Sequence, residues 1–203
     1  MLRELIMNTI YRKIWDLAKP YYEKGRPMDI AHIEWMMKDA MLVCRKEKID
    51  DSLLLPLVIL HDVGYSAVPK GNPFNLDLRK AHMEAGARIA GQTLETVGYP
   101  REKVIQIVKY VSVHDNWAFG ENNIYTGDRV LGTFNDLDFA WMATKEGFPA
   151  LMKILNKGPA EMINYLETDS KLKDRPFSTK TAKGLFEKYV KERKTEYGLA
   201  KTR

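Results

Sequence analysis

Apolar residues recur along almost the whole chain at intervals of three and four. That spacing lays them on one stripe of an α-helix. Leu2, Leu5, Ile6, Ile10, Ile14 and Leu17 form the first stripe, over residues 2–18, and Pro20 is expected to end it. Asp29 is placed to cap a second helix carrying Ile30, Ile33, Met36, Met37, Ala40, Met41 and Val43. Asp50, Asp51 and Ser52 open a third, from Leu53 to about Val63, with Gly64 as its stop. This third helix is apolar on every face, so it is expected at the centre of the core. Residues 65–76, with Pro69, Gly71 and Pro73, read as a loop. A fourth helix is expected from Leu76 to Val97, closed by Gly98, and a fifth from Pro100 to near His114. The polar stretch 115–127 reads as a second loop, and further helices are expected over about 128–145, 148–168 and 178–198. Strand-like alternation is scarce. The expected fold class is all-α, a single-domain helical bundle.

Composition narrows the class. A chain of 203 residues with 45% hydrophobic and 29% charged residues is long enough for a core and too apolar for bulk disorder. Its single cysteine, Cys44, excludes a disulfide framework and a multi-cysteine zinc site, and fits a reducing compartment. The longest apolar run, Leu53 to Leu60, is far short of the roughly 20 residues a membrane span needs. The N-terminus carries Glu4 and has no signal-peptide core. A cytoplasmic protein with no membrane partner is expected.

The formal charge of +5 is unevenly placed. Residues 171–203 hold 11 Lys/Arg against 4 Asp/Glu, so the first 170 residues hold 21 against 23. The basic tail interleaves Leu185, Phe186, Tyr189 and Val190 at helical spacing. It reads as a solvated amphipathic helix rather than a nucleic-acid-binding arm.

The chemistry concentrates on four histidines, His32, His61, His82 and His114, which are the chain's whole complement. They are 29, 21 and 32 residues apart, so they fall on successive helices. Asp62 follows His61 at the end of the most apolar helix, where an ionised carboxylate is costly unless paired or bound to a cation. Consecutive helical residues point about 100° apart, so both can reach one ion off the helix edge. Asp136 lies 22 residues after His114. One candidate ligand per helix is how metal sites are built inside helical bundles. Imidazole with carboxylate suits Mn, Fe, Co, Ni or Zn, and Mg less well.

The segments MDIAHIEWMMKDA, LVILHDVG, AHMEAGARIA, IVKYVSVHD and TFNDLD together resemble the HD-domain superfamily of metal-dependent phosphohydrolases. The resemblance spans about residues 26–140 and looks most like the small stand-alone bacterial type. It implies an N-terminal helix over 1–25 packed on a metal-binding core at 26–145. C-terminal helices over 146–203 would complete the same domain. It further implies that His32, His61, Asp62 and Asp136 hold one metal ion, with Asp138 the rival to Asp136. His82 and His114 would bind a second ion, or face the substrate phosphate if one ion binds.

The resemblance also implies a reaction. Metal-activated water would cleave a phosphoester of a nucleotide or related small phosphate compound. Asp62 would be central to that step, and His114 or Asp115 would protonate the leaving oxygen. Lys38, Arg79, Lys80 and Arg88 are candidate phosphate-binding cations. Tyr65, Lys70, Asn72, Trp117 and Asn122 lie in loops after ligand positions, where selectivity resides. Two other readings share the ligand pattern: a di-iron oxygenase of the same fold, and a non-catalytic nucleotide-binding sensor. Self-association is compatible with all three.

Overall fold

The computed structural model describes residues 10–72 and 74–200. Residues 2–9 of the first apolar stripe, and Pro73, lie outside them. Every described element is helical and no strand is present among the described residues. The all-α expectation holds.

The described residues fall into two compact units, one within residues 1–41 and 50–121, the other within residues 42–49 and 122–203. The first unit opens with α1 (Ile10–Lys24), which runs through Pro20 rather than ending there. The proline removes one N–H from the helix ladder. Burial of Trp15, Ala18 and Tyr22 holds the helix across it, and the Tyr22 hydroxyl donates to the carbonyl of Ile59 at 2.8 Å. Then comes α2 (Asp29–Glu47), whose last turns belong to the second unit.

The helix α3 (Asp51–Leu60) begins where Asp50 accepts the Ser52 N–H at 3.0 Å. Its residues Leu53 to Leu60 are all buried, as an all-apolar helix requires. It ends with the apolar run at Leu60, three residues short of the expected Val63. A 3-10 turn, Val63–Ala67, follows, so the expected 65–76 loop begins in ordered structure. Gly64 is not a left-handed helix stop. It is a point of close approach: a Cβ there would lie 1.9 Å from the His82 carbonyl oxygen.

That carbonyl belongs to α4 (Leu76–Thr96), capped by Asn75 and closed through Gly98 at φ +68°. Pro100 starts α5 (Arg101–Val111), as expected. A second 3-10 turn, Asn116–Phe119, replaces much of the expected second loop and closes through Gly120 at φ +85°.

The second unit contains α6 (Asn123–Gly127), α7 (Arg129–Trp141), α8 (Gly147–Leu155), α9 (Pro159–Thr168), α10 (Lys171–Asp174) and α11 (Lys180–Glu196). The expected single helix over 148–168 is broken. Asn156 takes a left-handed conformation at φ +51°, and Pro159 starts a new helix whose Glu161 side chain accepts the Gly158 N–H. Phe134, Phe148, Met162, Leu166 and Phe186 are buried in this unit. The basic helix α11 carries Lys183–Glu187, Lys188–Glu192 and Arg193–Glu196 ion pairs along its length. Its charge is partly neutralised within the helix, as the solvated-face reading requires.

Candidate metal centre

Four helices and one turn of the first unit deliver His32, His61, Asp62, His82 and His114 to one buried place. His32 lies on α2, His61 follows the last residue of α3, and Asp62 sits at the start of the 3-10 turn. His82 lies on α4, and His114 follows α5. All five are at most 9% exposed. Ligand atoms of His32, His61 and Asp62 lie within 4.8 Å of one another, and so do those of Asp62, His82 and His114. Asp62 belongs to both groups.

Hydrogen bonds at the back of the rings decide what their fronts offer. His61 Nδ1 lies 3.0 Å from the Val58 carbonyl and His114 Nδ1 2.8 Å from the Val111 carbonyl. A carbonyl only accepts, so each Nδ1 carries a proton, and it is Nε2 that turns forward and offers a lone pair whenever the ring is neutral. His82 Nδ1 faces the Leu78 carbonyl at 3.4 Å in the same sense. The Nε2 atoms of His82 and His114 stand 3.2 Å apart, each 3.4 Å from one Asp62 oxygen. His61 Nε2 is 3.4 Å from the other Asp62 oxygen. Lone pairs converging on a buried carboxylate repel unless a cation lies among them. The donor set fits a transition-metal ion, with backbone carbonyls orienting the imidazoles from behind.

The electrostatics agree. Burial pushes the Asp62 carboxyl up, but positive charge at His61 and hydrogen bonds from His114, His61 and His82 outweigh it and hold it well below the ordinary range, the charge a metal cation supplies in their place when the rings are neutral. Burial, aided by His114, outweighs the pull of Asp62 and Asp115 and lowers His82. A neutral imidazole beside an ionised carboxylate is the state a metal requires.

A second carboxylate stands close by. Asp29 is 2% exposed and begins α2, one turn before His32 on the same helix side. Arg26 approaches one of its oxygens at 3.0 Å. Burial, then the charge of Asp62, pushes its carboxyl up to about 6 against the opposing pull of Arg26. Arg26 also lies 4.3 Å above the Tyr65 ring, and Tyr65 stacks on His82 at 4.1 Å and 9°. The sequence offered Asp29 only as a helix cap, and the structure places it inside the first turn of the helix. Arg26 carried no signal of its own.

On the other side of His82, Arg79 ion-pairs with Asp115 at 2.7 Å and stacks on Trp117 at 4.7 Å. Asp115 also accepts the Trp117 indole N–H at 3.0 Å and comes within 3.9 Å of His82 Nε2. Both Asp115 oxygens are thus engaged, one by Arg79 and one by Trp117. Lys38, Lys80 and Arg88 are exposed. Lys80 is two residues from His82 and Arg88 six, spacings that turn a helical side chain well away from the histidine's face.

Asp136 lies in the second unit, on α7. Its carboxylate is ion-paired with the fully buried Lys171 and accepts the Ser178 N–H at 2.7 Å. Lys171 also donates to the Arg175 carbonyl at 2.9 Å, and the Arg175 guanidinium donates to Asn135 and Asn122. Burial pushes Asp136 up to about 6 and lowers Lys171. Neither metal-spaced group contains Asp136 or Asp138. A lysine embedded in a polar stretch gave no sequence sign of this network.

The family described as HD domain matches residues 29–154 of the chain. No curated protein and no solved structure matches it.

Proposed function

This chain belongs to the HD-domain family, whose members are generally metal-dependent phosphohydrolases, and from that premise we propose that it hydrolyses a phosphoester of a nucleotide or related small phosphate compound. The observation that carries the reading is the convergence of His61, His82 and His114 Nε2 atoms on the two oxygens of one buried carboxylate, Asp62. Such a set has little use without a cation.

In this reading His32, His61 and Asp62 hold one ion, and Asp62, His82 and His114 hold a second. When bound, the metal supplies activated water and polarises the phosphoryl oxygen. The protein's own groups do the rest. The carbonyls of Val58 and Val111 fix the ring tautomers. Arg79, anchored by Asp115 and Trp117, is the cation placed to meet a phosphate oxygen beside His82. Trp117, against Arg79, and Tyr65, against His82, are the aromatic neighbours a bound substrate would meet. Asp136 as a further ligand is a separate reading. Loss of bound metal in Asp136→Asn supports it, and unchanged stoichiometry assigns the residue to the Lys171 network.

The test is metal analysis of the parent, His61→Ala and Asp62→Asn proteins, followed by phosphate release from nucleotides and aryl phosphates with Mn, Fe, Co, Ni, Zn or Mg added. One or two equivalents of metal in the parent, their loss in both variants, and chelator-sensitive phosphate release support the proposal. Full metal content in both variants refutes it. Oxygen uptake by the iron-loaded protein without phosphate release points instead to the oxygenase reading.

A further inference from the structure

We propose that Asp29 is a carboxylate of the metal centre, held by Arg26 so that its second oxygen serves water on the ion at the His32–His61–Asp62 position. The inference rests on the metal-centre reading. Its ground is an unsatisfied atom: Asp29 Oδ2 is buried and has no hydrogen-bond partner. A buried polar group left unpaired costs on the order of 1–3 kcal/mol, and more when charged. The cost here is compounded by the like charge of Asp62, which acts on Asp29 through the same buried space. A cation and its water relieve both penalties at once.

Two further features give the carboxylate a direction. Arg26 holds it at 3.0 Å with its guanidinium carbon 4.3 Å over the ring of Tyr65, which is itself stacked on His82. One Asp29 oxygen is anchored by Arg26, and the other is buried and unpaired, with His32 and His61 in electrostatic reach of the carboxylate. Asp29 is not one of the side chains whose ligand atoms share the 4.8 Å spacing of His32, His61 and Asp62. It therefore acts through water rather than as a direct ligand. The bland role, an acidic residue in the first turn of a helix, is worth about 0.3–1 kcal/mol at an exposed site and does not call for burial.

The experiment measures Mn2+ affinity by competition with a fluorescent chelator for the parent, Asp29→Asn, Asp29→Glu and Asp62→Asn proteins. Each is also melted in excess chelator. Asn matches Asp in size and shape, so Asp29→Asn removes the charge and leaves the packing of the first turn in place. The expected result is a roughly 10–100-fold loss of Mn2+ affinity in Asp29→Asn, the size typical of groups that orient metal ligands. Asp29→Glu recovers part of it. In chelator, Asp29→Asn melts no lower than the parent. Affinity within twofold of the parent overturns the proposal, and so does a large drop in the chelator melting temperature, which makes Asp29 structural. If Asp62→Asn loses metal while Asp29→Asn does not, this inference alone fails. If the parent binds no Mn2+ or other divalent ion, the metal-centre reading fails with it.

Discussion

Replacing Gly64 with alanine tests how the centre is assembled. The added Cβ would stand 1.9 Å from the His82 carbonyl oxygen, 2.6 Å from the Gly86 nitrogen and 2.9 Å from the His82 carbonyl carbon. Real Cβ contacts essentially never fall below 3.0 Å, so the turn and α4 must part by about 1.1 Å at the closest point. All three obstacles are backbone, so no rotamer change absorbs the strain. Overpacking of an adaptable core costs about 1–3 kcal/mol. A backbone clash of this size is expected at or above the top of that range, about 3 kcal/mol. At about 2–4 °C per kcal/mol for a chain of this length, the melting temperature should fall by roughly 6–12 °C. The same separation pulls Asp62, two residues before Gly64, away from His82, so metal affinity should fall with stability. The assay is thermal unfolding by circular dichroism in chelator, with metal titration of the folded variant. Gly184→Ala is the control: a Cβ there meets nothing within 4 Å, on a long helix, so it should stabilise by about 0.5–1 kcal/mol. A Gly64→Ala protein that melts within 2 °C of the parent and binds metal normally would refute this packing of turn against helix.

The buried pair in the second unit gives another prediction. Lys171→Met strands the Asp136 carboxylate and should cost about 3–5 kcal/mol in urea unfolding at neutral pH, while Lys171→Met with Asp136→Leu should regain most of it. A single variant within 1 kcal/mol of the parent would count against the pair. A third concerns pH. Asp29 is raised from 3.8 to about 6, so between those values the folded chelator-treated protein binds more protons than the unfolded one, and its stability falls as pH rises. Comparison with Asp29→Asn isolates that slope: the parent's stability relative to the variant should drop between about pH 4 and pH 6, and a flat or rising difference would sink the argument. A fourth concerns Arg79→Lys. It keeps the charge but loses the fork to Asp115 and the stack on Trp117, so KM for a phosphate ester should rise with metal content unchanged. Lost metal in that variant would show that Arg79 supports the centre instead.

Helix positions were legible because apolar spacing and caps are local properties. Asp50, Pro100 and Gly98 mark ends that the structure keeps. Pro20 misled because Tyr22 and Trp15, buried beyond and before it, repay the lost bond through contacts no local rule contains. Gly64 misled for the same reason. Its signal resembled a helix stop, whereas its cause is the carbonyl of His82, eighteen residues away in sequence.

The candidate centre divides along the same line. The sequence by itself determined the candidate ligand types, their order and their spread over successive helices and helix ends, because residue identity and helical period are written in it. Only the tertiary structure decided which of them converge. It put Asp62 between two groups of histidines and turned their Nε2 atoms inward through carbonyls of Val58 and Val111. It buried Asp29 beside them and gave Asp136 a lysine partner from thirty-five residues further along. Convergence depends on where helices pack, and packing is set by the whole core at once rather than by any segment read alone.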